Sequence, residues 1–215
     1  WNNPVVRFLD NSGKIEGDRI ANFRSRALLV QWMIDALEKN KIRVPGYLIN
    51  LEKEFASEEN GTEEFYLSMY CFWTGEKEIV GINGVVGTEA GFMHGREVVK
   101  VEYDSKLTGA NRIAAKAGKV HCADEIFTND QIKSKLPMQK IGKYRKDRQD
   151  KYYLLNSRYR SIPMTEYQKS LVNSELGSGR YPEHLLSPRQ LSLLEKKRNF
   201  ASYVDKNFRE SWYEL

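Results

Sequence analysis

Residues 65–70 carry aromatic or apolar side chains at almost every position. A strand with one face in water alternates between apolar and polar residues, so this near-continuous run predicts a strand that is buried on both faces. It ends at Cys71. Residues 72–75 then predict a turn and residues 76–83 a helix, with Thr74 as its N-cap. The sequence therefore predicts a strand, a turn and a helix with a cysteine at the first junction.

The sixty residues before this unit predict one short strand and two helices. Residues 4–9 have strand composition and end at a turn signal, residues 10–13, after which we expect a helix. Apolar positions recur at three- and four-residue steps over residues 25–40, and a second helix is predicted over residues 45–57. The acidic stretch 57–64 contains a glycine and is the predicted linker into the next unit.

Strands and helices also alternate downstream. The predicted elements are strands at 85–92 and 97–103, a weak helix at 108–119, a basic loop at 139–151, a strand at 152–162, a helix at 165–176 and a C-terminal helix from Ser187, its N-cap, to about Phe200. This interleaving predicts an α+β fold, a two-layer sandwich of a mixed or antiparallel sheet with packed helices. We expect an N-terminal strand and helical extension at 1–62, a core at 63–176 and a helical tail at 177–215 that packs on the core.

Composition excludes several classes of protein. The 215 residues are 40% hydrophobic, enough for a sizeable core, and contain no apolar run of the ~18 residues that a membrane span needs. Two cysteines cannot form a disulfide framework, and no Cys/His pair has zinc-site spacing, so we expect neither a metal nor a bound cofactor. The net charge of +5 suits an anionic partner without requiring one. Because the chain starts at Trp1, we expect an upstream segment to have been removed, and the compartment, cytoplasmic or exported, stays open.

Cys71 lies where a cysteine can act as a nucleophile. A thiol reacts as its thiolate, which the free N–H groups and the dipole at a helix start stabilise. The alternative is a cysteine that only fills the core, since cysteine is often buried. Phe72 and Trp73 favour the reactive interpretation, because two large apolar side chains after the cysteine would form walls of a pocket beside the sulfur.

Cys71 and its surroundings resemble peptide methionine sulfoxide reductase A. That family carries the signature Gly-Cys-Phe-Trp-Gly, and residues 70–74 read Tyr-Cys-Phe-Trp-Thr. The similarity continues at Glu76, Gly84, Val85, Thr88, Ala90, Gly91 and Phe92, through residues 95–104 around Glu97, and at residues 159–162, Tyr-Arg-Ser-Ile. It covers residues 65–175 and implies a ferredoxin-like fold.

The resemblance also implies a mechanism. Cys71 attacks the sulfoxide sulfur of the S epimer, Phe72 and Trp73 hold the substrate methyl group, Glu97 protonates the sulfoxide oxygen, and Tyr159 donates a hydrogen bond to it. The products are a thioether and a sulfenic acid on Cys71. Two of these assignments have structural alternatives: Glu97 as an outward strand residue in an ion pair, and Tyr159 as an ordinary core tyrosine.

Recycling of the sulfenic acid requires a second thiol. Cys122 is the other cysteine of the chain and is therefore the candidate resolving residue, with a buried, inert thiol as the alternative. If Cys122 does not resolve the sulfenic acid, an external reductant such as thioredoxin or a small thiol must reduce Cys71. The expected partners are oxidised methionine in peptides or proteins and a thioredoxin-like reductant, with no membrane and no nucleic acid.

Departures from the family pattern leave two other functions open. Tyr70 and Thr74 replace the glycines that flank the family cysteine, and the loop before Glu97 is short. If these departures prevent reduction of methionine sulfoxide, the same fold would serve as another thiol redox enzyme. Alternatively, it would be a module that binds an anionic partner through the basic loop 140–151 and its aromatic residues. Glu76 is expected to be structural, in the first turn of the helix that follows Cys71.

Overall fold

The computed structural model describes residues 5–21, 24–119 and 123–196. The strands in these ranges are β1 Val5–Leu9, β2 Ile15–Ala21, β3 Thr62–Ser68, β4 Val85–Met93, β5 Arg96–Asp104, β6 Glu125–Phe127, β7 Met138–Gln139 and β8 Arg145–Lys146. The α-helices are α1 Arg26–Lys39, α2 Gly46–Asn60, α3 Phe72–Ile79, α4 Ala110–Lys119, α5 Tyr152–Leu155, α6 Glu166–Gly177 and α7 Pro188–Lys196. Short 3-10 turns lie at Arg158–Ser161 and Glu183–Leu185.

Six strands form one mixed sheet in the order β7-β6-β3-β5-β4-β8. All neighbouring pairs are antiparallel except β6 and β7, which are parallel. A separate antiparallel hairpin joins β1 to β2. The α+β fold with a mixed sheet and packed helices is therefore confirmed. Among the described residues no helix is both long and apolar enough to cross a membrane.

Residues 65–68 of β3 are buried on both faces, as the apolar run predicts, but the strand begins at Thr62 with three exposed residues and ends at Ser68, and Tyr70 is 96% exposed. Phe65 and Leu67 face the main core, in which side chains of β4, β5, α3 and α4 pack together. Tyr66 faces the other side of the sheet, where it packs with Met93 and Phe127. The main core lies between the sheet and its helices and supports the start of α3.

The hairpin β1–β2 replaces the helix expected directly after residues 10–13. The Asp10 carboxylate accepts hydrogen bonds from the backbone N–H groups of Ser12 and Lys14 and closes the turn. The chain therefore folds back on β1 as a second strand. The first helix begins at Arg26, and α1 packs against α2 through a cluster containing Val30 and Leu48.

The expected linker at 57–64 is wrong. The helix α2 continues to Asn60, Gly61 ends it with a φ of 88°, and β3 begins at Thr62. Glu58 and Glu59 lie on exposed positions of this helix, and Glu63 and Glu64 lie on exposed positions of β3, while Ser57 is buried and donates to the Glu54 carbonyl. The exposed end of a helix and the exposed start of a strand therefore produce the composition that resembles a linker.

The expected strand at 152–162 is also wrong. This segment forms α5 and a 3-10 turn, because Leu154 donates its backbone N–H to the Asn173 side chain and its side chain joins a helical cluster. A short apolar run does not distinguish a buried helix from a strand. The predicted N-cap Ser187 is confirmed, since its hydroxyl accepts the Gln190 backbone N–H. The helix predicted from residue 165 begins one residue later, at Glu166, and Thr165 is its N-cap. The expected helix end near Phe200 lies outside the described residues.

Candidate active site

The helix α3 begins directly after Cys71. Its first residue is Phe72, and Cys71 occupies the N-cap with extended backbone angles (φ −140°, ψ 109°). The Gly75 N–H donates to the Cys71 carbonyl at 3.1 Å, the first bond of the helix. The expected turn at 72–75 and the N-cap at Thr74 are therefore wrong. Burial of Phe72, which is 4% exposed, draws this segment into the helix.

The Glu97 side chain caps this helix. The Phe72 backbone N–H donates to Glu97 Oε2 at 2.9 Å, whereas the Cys71 side chain makes no capping bond. On the other side of Cys71, the Met69 N–H donates to the Glu97 carbonyl at 3.2 Å. Glu97 is thus bonded to residues on both sides of Cys71, which brings the candidate nucleophile and the candidate acid together.

Gly75 allows α3 to approach the sheet closely. A Cβ atom at this position would lie 1.6 Å from Met69 Sδ and 3.2 Å from Val99 Cγ2. A Cβ atom there would require the Met69 side chain to move, so glycine leaves room for the end of Met69 between α3 and the sheet. This close approach keeps the N-terminus of α3 against the strand that carries Glu97.

Aromatic rings line the site next to Cys71. The Phe72 ring contacts Phe92 edge-on, with centroids 5.3 Å apart, and lies 5.4 Å from the Trp73 ring. Trp73 stacks on Tyr152 with centroids 4.1 Å apart and planes 18° apart. The indole N–H of Trp73 is buried and has no acceptor among the described residues. These contacts fix both rings that the sequence assigns to substrate binding.

Glu76 belongs to a buried ion cluster one helical turn below Cys71. It is the fifth residue of α3 rather than a first-turn residue, and it is 1% exposed. The Lys151 ammonium donates to Glu76 Oε1 at 2.6 Å, to Asp150 Oδ1 at 2.9 Å and to the Thr88 carbonyl. The structural role expected for Glu76 therefore rests on a buried lysine and not on the helix dipole.

Burial and charge act in opposite directions on these groups. Burial raises the pKa of Glu76 to about 7, although the Lys151 ammonium opposes this rise. Burial lowers the pKa of Lys151, but the charges of Glu76 and Asp150 outweigh it and leave this pKa raised. Burial alone would raise the pKa of Asp150, and the charges of Lys151 and Lys146 instead hold it below its ordinary value. The ammonium of Lys151 is thus the group that permits two carboxyls to be buried here.

Tyr159 lies in a second apolar cluster. Its hydroxyl donates to Glu183 Oε1 at 2.5 Å and accepts from the Arg158 guanidinium at 3.2 Å. Its ring packs with side chains of α5, α6 and the segment before α7, namely Leu154, Ile162, Met164, Val172, Leu185 and Leu186. Phe72, which follows Cys71, belongs instead to the main core. The structure therefore places Tyr159 and Phe72 in two different hydrophobic clusters.

Of the two cysteines, Cys71 is a half-buried free thiol. Cys122 lies outside the described residues, so its assignment as the resolving residue stays a prediction. Within residues 5–21, 24–119 and 123–196, no group of three or more His, Cys, Asp or Glu side chains is arranged to hold a metal ion.

Sequence reasoning missed two residues at this site. The basic composition of residues 139–151 predicts a solvated loop, yet Lys151 at its end is 3% exposed. Tyr152 follows it and covers one face of Trp73. The available signal is the pair Tyr152 and Tyr153 directly after a run of charges, because adjacent aromatic residues at the end of a polar loop indicate a return to the core.

The chain matches no protein-family model and no curated protein sequence.

Proposed function

We propose that this chain reduces methionine sulfoxide, in peptides or as the free amino acid, with Cys71 as the nucleophile and Glu97 as the general acid. The observation that carries the proposal is the hydrogen bond from the Phe72 N–H to Glu97 Oε2 at 2.9 Å. It holds a carboxyl from β5 at the backbone N–H of the residue that directly follows Cys71, the free thiol at the start of α3. A nucleophile adjacent to a proton donor is what oxygen transfer from a sulfoxide to a thiol requires.

The reaction balances with one thiol and one sulfoxide. The Cys71 thiolate attacks the sulfoxide sulfur while Glu97 protonates the oxygen, which is a poor leaving group until it carries a proton. The attack forms a bond between the two sulfur atoms. This bond and the sulfur–oxygen bond of the substrate then break as the protonated oxygen bonds to the Cys71 sulfur, where it becomes the hydroxyl of a sulfenic acid. The substrate sulfur gains two electrons, the Cys71 sulfur loses two, and the thiol proton restores Glu97.

The aromatic rings supply the rest of the proposed pocket. Phe72 and Trp73 follow Cys71 in the first turn of α3 and are held by Phe92 and Tyr152. A methyl group on a tetrahedral sulfur packs well against aromatic faces. An apolar wall beside the thiol favours binding of this methyl group over binding of the charged end of the substrate. The choice of the S epimer is implied by the family resemblance.

Recycling proceeds through a second thiol that attacks the sulfenic acid, forms a disulfide and releases water. Cys122 in the same chain and an external thioredoxin-like reductant are the two sources. Mass spectrometry after one turnover separates them: a Cys71–Cys122 disulfide identifies the internal route, and a persisting sulfenic acid identifies the external one.

The proposal is tested by a single-turnover assay with a racemic methionine sulfoxide peptide and no added reductant. We expect about one equivalent of thioether per chain, from the S epimer only, with one oxidised Cys71. Chiral chromatography measures the epimers and mass spectrometry measures Cys71. Absence of product from the wild-type protein would refute the proposal.

Two variants test the assigned roles without unfolding the site. Cys71→Ser removes the thiol and places a better N-cap residue before α3, so it should fold and show no turnover. Glu97→Gln keeps an oxygen that accepts from the Phe72 N–H but cannot supply a proton. We therefore expect it to slow sulfoxide reduction by about a hundredfold or more at unchanged stability. Retained turnover in Cys71→Ser would exclude Cys71 as the nucleophile.

The alternative, a module that binds an anionic partner through residues 140–151, receives less support. Its aromatic side chains are engaged in packing: Tyr144 donates to Glu89 and lies 5.1 Å from the Tyr66 ring, and Tyr152 stacks on Trp73. Base stacking on such a loop requires free aromatic faces.

A further inference from the structure

Arg145 lies in one cross-strand row with Glu97. Phe92 on β4 is directly opposite Glu97 on β5 and directly opposite Arg145 on β8. Directly opposite residues of antiparallel strands project from the same face of the sheet. Two strand spacings of about 5 Å separate the Arg145 and Glu97 backbones. Arg145 therefore stands on the face of the sheet on which α3 begins at Cys71.

The guanidinium of Arg145 covers the Phe92 ring. Its Cζ lies 4.4 Å from the Phe92 centroid, and the Phe92 ring in turn contacts Phe72. The group is thus turned toward the site rather than off the edge of the sheet. A guanidinium stacked on a ring uses its face and leaves the N–H donors on its rim available, in a geometry that matches a carboxylate.

Those donors have no partner in the part of the chain that the structure describes, and the side chain is exposed. Neighbouring cations differ in this respect: Arg96 pairs with Glu125, and Lys146 pairs with Glu89. Arg145 is held by an aromatic ring, has no acceptor among the described residues and lies in the same cross-strand row as the proposed acid. It is therefore placed to bind a ligand.

We propose that Arg145 binds a carboxylate of the substrate next to the sulfoxide. This inference rests on the proposed function and specifies the substrate class. In free methionine sulfoxide the carboxylate carbon is four bonds from the sulfur, at most about 6 Å away. A Glu or Asp side chain beside an oxidised methionine in a peptide supplies the same chemistry. The Arg145 fork donates two parallel hydrogen bonds to either carboxylate, with Phe92 between that subsite and Glu97.

Equilibrium binding to Cys71→Ser protein tests this subsite without turnover. Calorimetry compares L-methionine sulfoxide with its amide, and compares two end-blocked peptides in which the oxidised methionine precedes Glu or Gln. We expect the ligand with the carboxylate to bind about tenfold more tightly in at least one pair. The pair that shows the preference identifies the source of the carboxylate.

Three further substitutions assign the preference to Arg145. Arg145→Ala should abolish it, and Arg145→Lys should retain only part of it because an ammonium lacks the planar fork. Arg148→Ala is the matched control, since Arg148 is exposed, has no ion pair among the described residues and should leave the preference intact. Circular dichroism checks that all variants fold.

Each outcome decides the inference. The subsite is overturned if the preference for the carboxylate ligand is the same with and without Arg145, or if no ligand binds. If the wild-type protein turns over sulfoxide but the preference does not depend on Arg145, the proposed function stands and the subsite is refuted. If carboxylate binding depends on Arg145 while the wild-type protein yields no thioether, the subsite stands and the reductase proposal is refuted.

Discussion

Replacement of Lys151 by Met should destabilise this fold more than loss of an ordinary surface lysine. Methionine has nearly the same length but no charge. The substitution leaves the Glu76 carboxyl without the ammonium that neutralises it, leaves Asp150 with Lys146 as its remaining counter-charge, and removes a donor from the Thr88 carbonyl. The side chains of Lys151, Glu76 and Asp150 are 4%, 0% and 9% exposed, so water does not replace the lost contacts.

The magnitude follows from the cost of an uncompensated buried charge. Removal of one partner of a buried pair costs about 3 to 5 kcal/mol in free energy of unfolding. For a domain of this size, about 1 kcal/mol corresponds to about 2 to 4 °C in Tm, so a loss of roughly 10 °C is expected. Lys146→Met is the control. Lys146 is half-exposed and pairs with Glu89 and Asp150, and its loss should cost less than about 1 kcal/mol.

Urea denaturation monitored by tryptophan fluorescence at pH 8 and at pH 5 measures both the size and the pH dependence. The folded-state pKa of Glu76 is about 7, above its ordinary value of 4.5. The stability that a protonated Glu76 contributes is therefore fully present below pH 4.5 and is lost as the pH rises through 7. The defect of Lys151→Met should accordingly be smaller at pH 5 than at pH 8, since a protonated Glu76 needs no counter-charge.

A loss below about 1 kcal/mol at pH 8, or an equal loss at both pH values, would refute this reasoning. The double variant Lys151→Met with Glu76→Gln adds a second check. It removes the buried carboxyl that the single variant leaves without a counter-charge, so it should be more stable than Lys151→Met alone.

Three other substitutions probe different parts of the chain. Burial raises the pKa of Glu54 to about 7, so stability should fall between pH 4.5 and 7, and Glu54→Gln should flatten that slope in a series of urea midpoints. Tyr159→Phe should cost about 1 kcal/mol of free energy of unfolding, because the hydrogen bond to Glu183 is lost. It should change the single-turnover rate less than twofold. A large loss of rate would instead support the donor role implied by the resemblance. Tyr152→Ala should raise KM for sulfoxide with little change in kcat, because Trp73 loses its stacking partner, and Tyr152→Phe, which retains the ring, should not.

The elements predicted correctly from the sequence are those with local signals. The run at 65–70 identifies a strand that is buried on both faces over residues 65–68, because nearly every side chain in the run is apolar or aromatic. Ser187 identifies a helix start because an N-cap bonds to a backbone N–H within three residues. Such patterns need no knowledge of the rest of the chain.

The start of α3 could not be predicted in this way, because its capping group is distant in sequence. Phe72 has no serine, threonine or aspartate before it, and its N–H bonds to Glu97, 25 residues later. A sequence scan that seeks local caps moves the start to Thr74. Lys151 presents the same difficulty: its neighbours are charged, and the carboxylate that permits its burial, Glu76, lies 75 residues earlier.

The candidate site therefore depends on strand register as well as on motif. Cys71, Phe72 and Trp73 are adjacent in the chain, but Glu97 reaches them only because β5 pairs Val98 with Ser68 on β3, and Glu97 with Phe92 on β4. Successive residues of a strand project from opposite faces, so a slip of β5 by one residue would turn Glu97 away from α3, just as a slip of β8 would turn Arg145 away from Phe92. The bond from the Met69 N–H to the Glu97 carbonyl is the last rung of the β3–β5 ladder and opposes that slip. The proposed nucleophile is thus fixed by local sequence, whereas the proposed acid and the carboxylate subsite are fixed together by the pairing of the sheet.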